Sequence, residues 1–139
     1  MKVTGLNGRI YPVVIQKYAI DWSHVVSKPQ KKVKDFLRPY WVSHVVSEEF
    51  AIPGCGKRPL RVDLINWTRK IAVEVSPRSS HGFNSFFHKS RIGFSAAVRR
   101  DLGKEEWCKA NGFAYVELNE DDIEQLSVEW FEDTYGITL

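Results

Sequence analysis

Two β-rich runs, Leu60 to Ile65 and Ile71 to Val75, are separated by only Asn66-Trp67-Thr68-Arg69-Lys70. Five residues are too few for a crossover connection, so the runs must be antiparallel neighbours in one hairpin. Folding back carries Asp63 towards Glu74. If the register sets both on one face, the two carboxylates can reach a single ion; a slip of one residue would point them apart. Their surroundings give the pair its meaning. Between Lys57 and Arg100 the chain has ten Lys/Arg, and Asp63 and Glu74 are the only acids. Carboxylates kept for solubility would be interspersed with the cations. An isolated pair suits a hard divalent cation set within a surface that binds a polyanion.

The formal net charge of +3 conceals a division along the chain. From Glu117 to Leu139 there are eight acids and no Lys or Arg, which leaves residues 1 to 116 with 20 bases against 9 acids, a surplus of 11. A surplus of that size on a compact unit favours a polyanionic partner, of which nucleic acid is the commonest. The 139 residues suffice for one domain with one sizeable core. No apolar run approaches the roughly 18 residues of a membrane span. The start, MKVTGLNGRIYPVV, lacks the pattern of a secretion signal, so a cytoplasmic protein that does not engage a membrane is expected. Cys55 and Cys108 are too few and too far apart for a disulfide framework or a CxxC-type zinc site.

Further elements can be read along the chain. Asn7-Gly8 within Lys2 to Ile15 predicts a hairpin with a two-residue turn, its Pro12 strand at an edge. Ser27 is the expected N-cap of a helix with Pro29 in its first turn, apolar at Val33, Phe36 and Leu37 and ending near Pro39. Lys28, Lys31, Lys32 and Lys34 are assigned to its exposed face. Trp41 to Ile52 reads as a strand, closed by the turn Pro53-Gly54-Cys55-Gly56. Ser85 to Arg100 mixes Phe87, Phe94, Ala97 and Val98 with Lys89, Arg91, Arg99 and Arg100, the pattern of one or two basic amphipathic helices. A helix from Lys104 to Ala110 should stop at Asn111-Gly112 and be followed by a strand from Phe113 to Leu118. The acidic tail predicts one or two helices, with Ile123, Leu126, Trp130 and Phe131 turned inward.

The order of basic helix, strand, Arg61-Val62-Asp63 strand, Ala72-Val73-Glu74-Val75-Ser76 strand, helix and closing strand resembles the PD-(D/E)xK nuclease superfamily, whose core is an αβββαβ unit. Arg100-Asp101, Lys104 and Trp107 to Gly112, followed by Ala114 to Leu118, are similar to the helix and closing strand of small very-short-patch-repair-like endonucleases and phage junction resolvases. The resemblance covers roughly Lys28 to Leu118. It implies a restriction-endonuclease-like α/β fold, a mixed central sheet flanked by helices, within a single domain of residues 1–139. Residues 1–27 would be an N-terminal hairpin extension, 28–118 the core and 119–139 an acidic helical tail. Asp63 and Glu74 match the two acidic positions of the motif. The chain departs at Val62, where the family favours Pro, and at Ser76, where the motif has its lysine. Lys89, Lys104, Lys31 and Lys32 are the candidates to replace that lysine. The polar position of the family's first helix falls on Gln30.

The chemistry implied is Mg²⁺-dependent hydrolysis of DNA phosphodiester bonds, with Mn²⁺ able to substitute. Asp63, Glu74 and the Val75 carbonyl would hold the ion, Gln30 would be a weaker ligand, and a second ion about 4 Å away would sit against Glu48 or Glu49. Arg61, Arg78, Lys89 and Arg91 are expected on flanking phosphates, with Arg99, Arg100 and the helix cations Lys31 and Lys32 extending the basic surface. His81, in a Pro/Arg/Ser-rich loop after the Glu74 strand, is a candidate general acid or phosphate contact. Trp67, at the hairpin tip beside Arg69 and Lys70, is the aromatic placed to stack on a base or wedge a duplex. Cutting both strands would call for two sites and so a homodimer, and the acidic tail is a candidate contact for a protein partner. Because Ser76 replaces the motif lysine, the competing expectation is a catalytically inactive nucleic-acid-binding protein on the same fold.

Overall fold

A computed structural model describes residues 1–56, 59–76 and 103–139. The N-terminus is a short hairpin of β1 (Lys2–Thr4) and β2 (Ile10–Pro12). Its connection is longer than the two-residue turn that Asn7-Gly8 suggests. Gly5 N–H donates to the Arg9 carbonyl at 2.7 Å and Gly8 N–H to the Gly5 carbonyl at 3.0 Å, with Gly8 at φ 83°. A 3₁₀ turn (Ile15–Tyr18) leads towards α1 (Lys28–Trp41). Next come β3 (Val46–Ala51), β4 (Arg61–Asn66) and β5 (Ile71–Val75), then a helix over residues 103–110, here α2, and β6 (Ala114–Leu118). The acidic segment forms α3 (Glu120–Glu124) and α4 (Val128–Tyr135). The protein is thus mixed α/β, a four-stranded mixed sheet flanked by helices. Among the described residues no helix is long and apolar enough to cross a membrane.

The sheet runs β3-β4-β5-β6, antiparallel except for the parallel β5–β6 pair. On one face, α1 contributes Val33, Leu37 and Trp41 to a core with Val46, Leu64, Val73, Val116 and Leu118, closed by Phe131 of α4. On the other face, Trp107 and Cys108 of α2 pack with Phe50, Val62, Ile65, Trp67 and Phe113. Local chemistry fixes the ends of the helices. Ser27 caps α1 by accepting from Gln30 N–H at 3.2 Å. Gly112 at φ 77° ends α2 as its sequence predicts. Asn119 and Asp122 form a reciprocal capping box on α3.

Three sequence expectations need correction. Helix α1 does not stop at Pro39 but runs on to Trp41, whose ring is buried in the core. The following strand therefore begins at Val46, leaving Val42 and Val45 exposed in the connection. Lys34 is not on the solvent face. It is completely buried, its ammonium donating to the carbonyls of Asp21 (2.6 Å) and His24 (3.0 Å) and pairing with Glu48 Oε1 at 2.8 Å.

Candidate active site

The sheet opens at one end. Strands β4 and β5 pair from Asn66↔Ile71 to Leu64↔Val73, and ladder pairing stops there. Beyond it β4 continues with β3 as far as Ala51↔Arg61, and β5 continues with β6 as far as Val75↔Leu118. Asp63 and Glu74, next in register, stand where the strands part. Their side chains take over the missing backbone bonds. Asp63 N–H donates to Glu74 Oε1 at 3.3 Å, and Val75 N–H donates to Asp63 Oδ2 at 2.8 Å. The two carboxyl groups are thereby held against each other across the fork.

The neighbouring strand turns over at the same level. Along β3, Val46 belongs to the α1-side core and Phe50 to the α2-side core, although residues an even number apart should share a face. Along β4, Leu64 and Val62 are divided in the same way. Both reversals centre on the pair Glu49 and Asp63, and because the strands turn together the register is kept, Glu48↔Leu64 on one side and Phe50↔Val62 on the other. Glu49 bears the turn with φ 52°, a left-handed conformation that a residue with a side chain rarely adopts. Its Oε1 accepts from the amide of buried Gln30 at 3.3 Å, and its carbonyl accepts from the Arg61 guanidinium at 3.2 Å.

Lys104, on the first turn of α2, reaches Glu74 Oε2 at 3.2 Å. It is one of the four lysines considered above for the place that Ser76 leaves without a cation. Ser76 N–H itself donates to the Leu118 carbonyl at 2.7 Å, continuing β5. Glu74 is buried beside a second carboxylate, and its pKa is pushed up to about 9, first by burial and then by Asp63, with Lys104 pulling it down only in part. Glu49 is also raised, by burial and then by Asp63. Crowded oxygen donors whose charge is held back by their own repulsion suit a hard cation, since a cation relieves the repulsion that a proton otherwise relieves. Among the described residues no group of three or more His, Cys, Asp or Glu is disposed to hold a metal ion. The side-chain oxygens brought together at the fork are those of Asp63 and Glu74, and magnesium, which keeps most of its waters, needs few protein ligands.

The other candidates fall at varying distances from this pair. Glu48 is withdrawn as a ligand to a second ion, because Lys34 holds its Oε1 and Asp21 N–H its Oε2 at 2.7 Å. Lys31 is occupied on α1 by Asp35 at 2.6 Å and the Trp22 carbonyl at 3.1 Å. Lys32 is exposed and faces α3 instead, sharing a cleft with Lys28, Glu120 and Glu124. Arg69 and Lys70 lie on the hairpin turn at the far end of β5, Lys70 four residues or about 13 Å from Glu74 and Arg69 one residue further. Arg69 donates to the Thr138 carbonyl at 2.8 Å.

Trp67 is not a protruding wedge. It is buried between Phe50 and Phe113, its ring N–H on Ser47 Oγ at 3.1 Å. Cys108 has its thiol pushed up to about 12, chiefly by burial and then by Glu74, so it stays protonated and is a poor ligand. Arg78, His81, His88, Lys89, Arg91, Arg99, Arg100 and the predicted helices of Ser85 to Arg100 lie outside the described residues. Sequence reading passed over Glu117, which sits beside Glu74 in the parallel β5–β6 register. It also passed over Lys17 and His24, which share a cleft with Glu49. A scan against models of protein families finds no match, and searches of curated proteins and of solved structures return none.

Proposed function

We propose that the chain is a Mg²⁺-dependent DNA endonuclease built on a restriction-endonuclease-like αβββαβ core, hydrolysing phosphodiester bonds at the fork between β4 and β5. The observation that carries this reading is the meeting of Asp63 and Glu74 where β4 and β5 part, with the Lys104 ammonium on Glu74. The element order α1, β3, β4, β5, α2, β6 and the basic balance of residues 1–116 support it.

Phosphodiester hydrolysis must bring a nucleophile to a phosphorus that is already surrounded by negative charge. Asp63, Glu74 and the Val75 carbonyl would hold the ion, which when bound supplies charge for the phosphate oxygens and a water of lowered pKa. Lys104, fixed by α2, offers an ammonium beside Glu74 to balance charge that develops on oxygen. Gln30 and Arg61 hold Glu49 at the edge of the pair, and Val75 N–H orients the Asp63 carboxylate. Arg61 is exposed beside the fork and is assigned to a flanking phosphate.

Cleavage of duplex, branched and single-stranded DNA with Mg²⁺ and with Mn²⁺ tests this. Asp63→Asn and Glu74→Gln preserve shape and should bring cutting below detection while leaving the melting curve cooperative. Lys104→Ala should lower kcat by about 100-fold. Normal cutting by both carboxylate variants would remove the assignment. The second reading, an inactive nucleic-acid-binding protein on the same fold, is favoured by Ser76 at the motif's lysine position, and DNA binding without cleavage of any substrate would establish it.

A further inference from the structure

Beside Glu49 an open cleft of about 390 Å³ runs between the N-terminal segment and the end of β3 and β4, within the size range of pockets that take small ligands. One wall is Lys17 and Tyr18 of the 3₁₀ turn together with His24. The other is Glu48, Glu49 and Arg61. The acids of this cleft are engaged within the protein, Glu48 by Lys34 and Asp21 N–H, Glu49 by Gln30. The cations differ. Among the described residues the side chains of Lys17 and His24 make no hydrogen bond or ion pair. What the cleft offers a visitor is therefore the Lys17 ammonium and the His24 ring beside Glu49.

The wall is also fixed in place. The Lys34 ammonium holds the carbonyls of Asp21 and His24, Ile20 N–H donates to the Val46 carbonyl at 3.1 Å, Ala19 bridges to Ser47, and Tyr18 packs edge-on against Phe50 with ring centroids 5.0 Å apart. A preorganised wall binds without the loss of loop freedom that a floppy segment would incur. We infer that the N-terminal segment forms one side of a phosphate-binding cleft, in which Lys17, His24 and Arg61 hold the backbone of the nucleic-acid strand that leads into the Asp63–Glu74 fork. This rests on the hydrolytic reading above and extends it to a segment outside the αβββαβ core.

The test is binding, so that it can fail separately from cleavage. Fluorescence anisotropy of the full chain in EDTA, with a short labelled DNA duplex, the matching DNA single strand and the RNA single strand, would be compared for wild type, Lys17→Glu/His24→Ala and the control Lys2→Glu, an exposed lysine outside the cleft lining. The double variant should bind about tenfold more weakly or worse, with the slope of log affinity against log salt reduced by about one, while the control changes far less. The probe that shows the loss identifies the strand the cleft takes. Wild-type affinity in the double variant, or an equal loss in the control, overturns the cleft and leaves the hydrolytic site standing. Failure of the wild type to bind any of the three probes overturns both.

Discussion

Glu74 holds a proton where the proposed hydrolysis would need an ionised carboxylate, and that conflict can be measured. Burial and Asp63 push its folded pKa up to about 9, whereas the ordinary value is 4.5. The folded chain keeps a proton that the unfolded chain gives up, so the stability contributed by this group is fully present below the unfolded value and lost as pH rises through about 9. Without divalent metal, the melting temperature should fall steadily as pH is raised across that window, and Glu74→Gln should flatten the fall. On the proposed function, stabilisation by added Mg²⁺ should grow over the same window, because a cation held there would displace the proton, and calorimetry in two buffers of different ionisation enthalpy should register proton release. A slope that survives in Glu74→Gln would assign the titration elsewhere. At this scale the acidic pair was legible in the sequence, from a five-residue connector and a basic setting. Lys104 was only one of four candidates. Its approach to Glu74 depends on α2 docking through Trp107 and Cys108, a tertiary fact that no local pattern carries. Trp67 was misplaced for the same reason, since a hairpin tip normally meets solvent but this one folds its ring onto Phe50, Trp107 and Phe113.

Among the elements, α1 and β3 depart furthest from their sequence patterns. Pro39 removes a backbone donor and disfavours the helix, yet it falls in the last turn, and Val42 N–H still donates to the Arg38 carbonyl at 3.0 Å. Burial of Trp41 outweighs the local penalty. The four-lysine pattern marked Lys34 as solvent-facing because its partners are 10 to 14 positions away and none shares its helix. The main run of strands was legible because the short β4–β5 connector and the Gly112 stop leave few alternatives. The Lys34–Glu48 pair ties α1, β3 and the 21–24 segment into one unit. Lys34→Met leaves a nearly buried carboxylate uncompensated and should cost about 3 kcal/mol or more by chemical denaturation. Lys34→Met/Glu48→Met removes both charges and should recover part of that loss, the rest remaining because the Asp21 and His24 carbonyls lose their donor. An unchanged midpoint in the single variant would mean that the pair does not hold these elements together.

For the molecule as a whole, the acidic tail meets part of the basic chain across one cleft. Helix α3 brings Glu120 and Glu124 to the rim of a cleft of about 290 Å³ whose opposite rim is Lys28 and Lys32 of α1. All four residues are exposed, and exposed pairs of opposite charge are worth only about 0.2–1 kcal/mol. The acids therefore lower the potential over this part of the basic surface without closing it, and a polyanion approaching α1 must overcome their repulsion. Glu120→Gln/Glu124→Gln should tighten DNA binding by up to about fivefold at low salt, the factor that about 1 kcal/mol supplies. The gain should shrink towards nothing as salt rises, because the screening length falls from about 10 Å at 0.1 M to about 3 Å at 1 M. Net charge alone would produce the same change wherever two acids are removed, so Glu129→Gln/Glu132→Gln on the exposed side of α4 separates the cases. Equal tightening by both pairs would reduce the effect of α3 to overall charge, whereas tightening confined to Glu120 and Glu124 would make the acidic helix a local regulator of the lysines it faces.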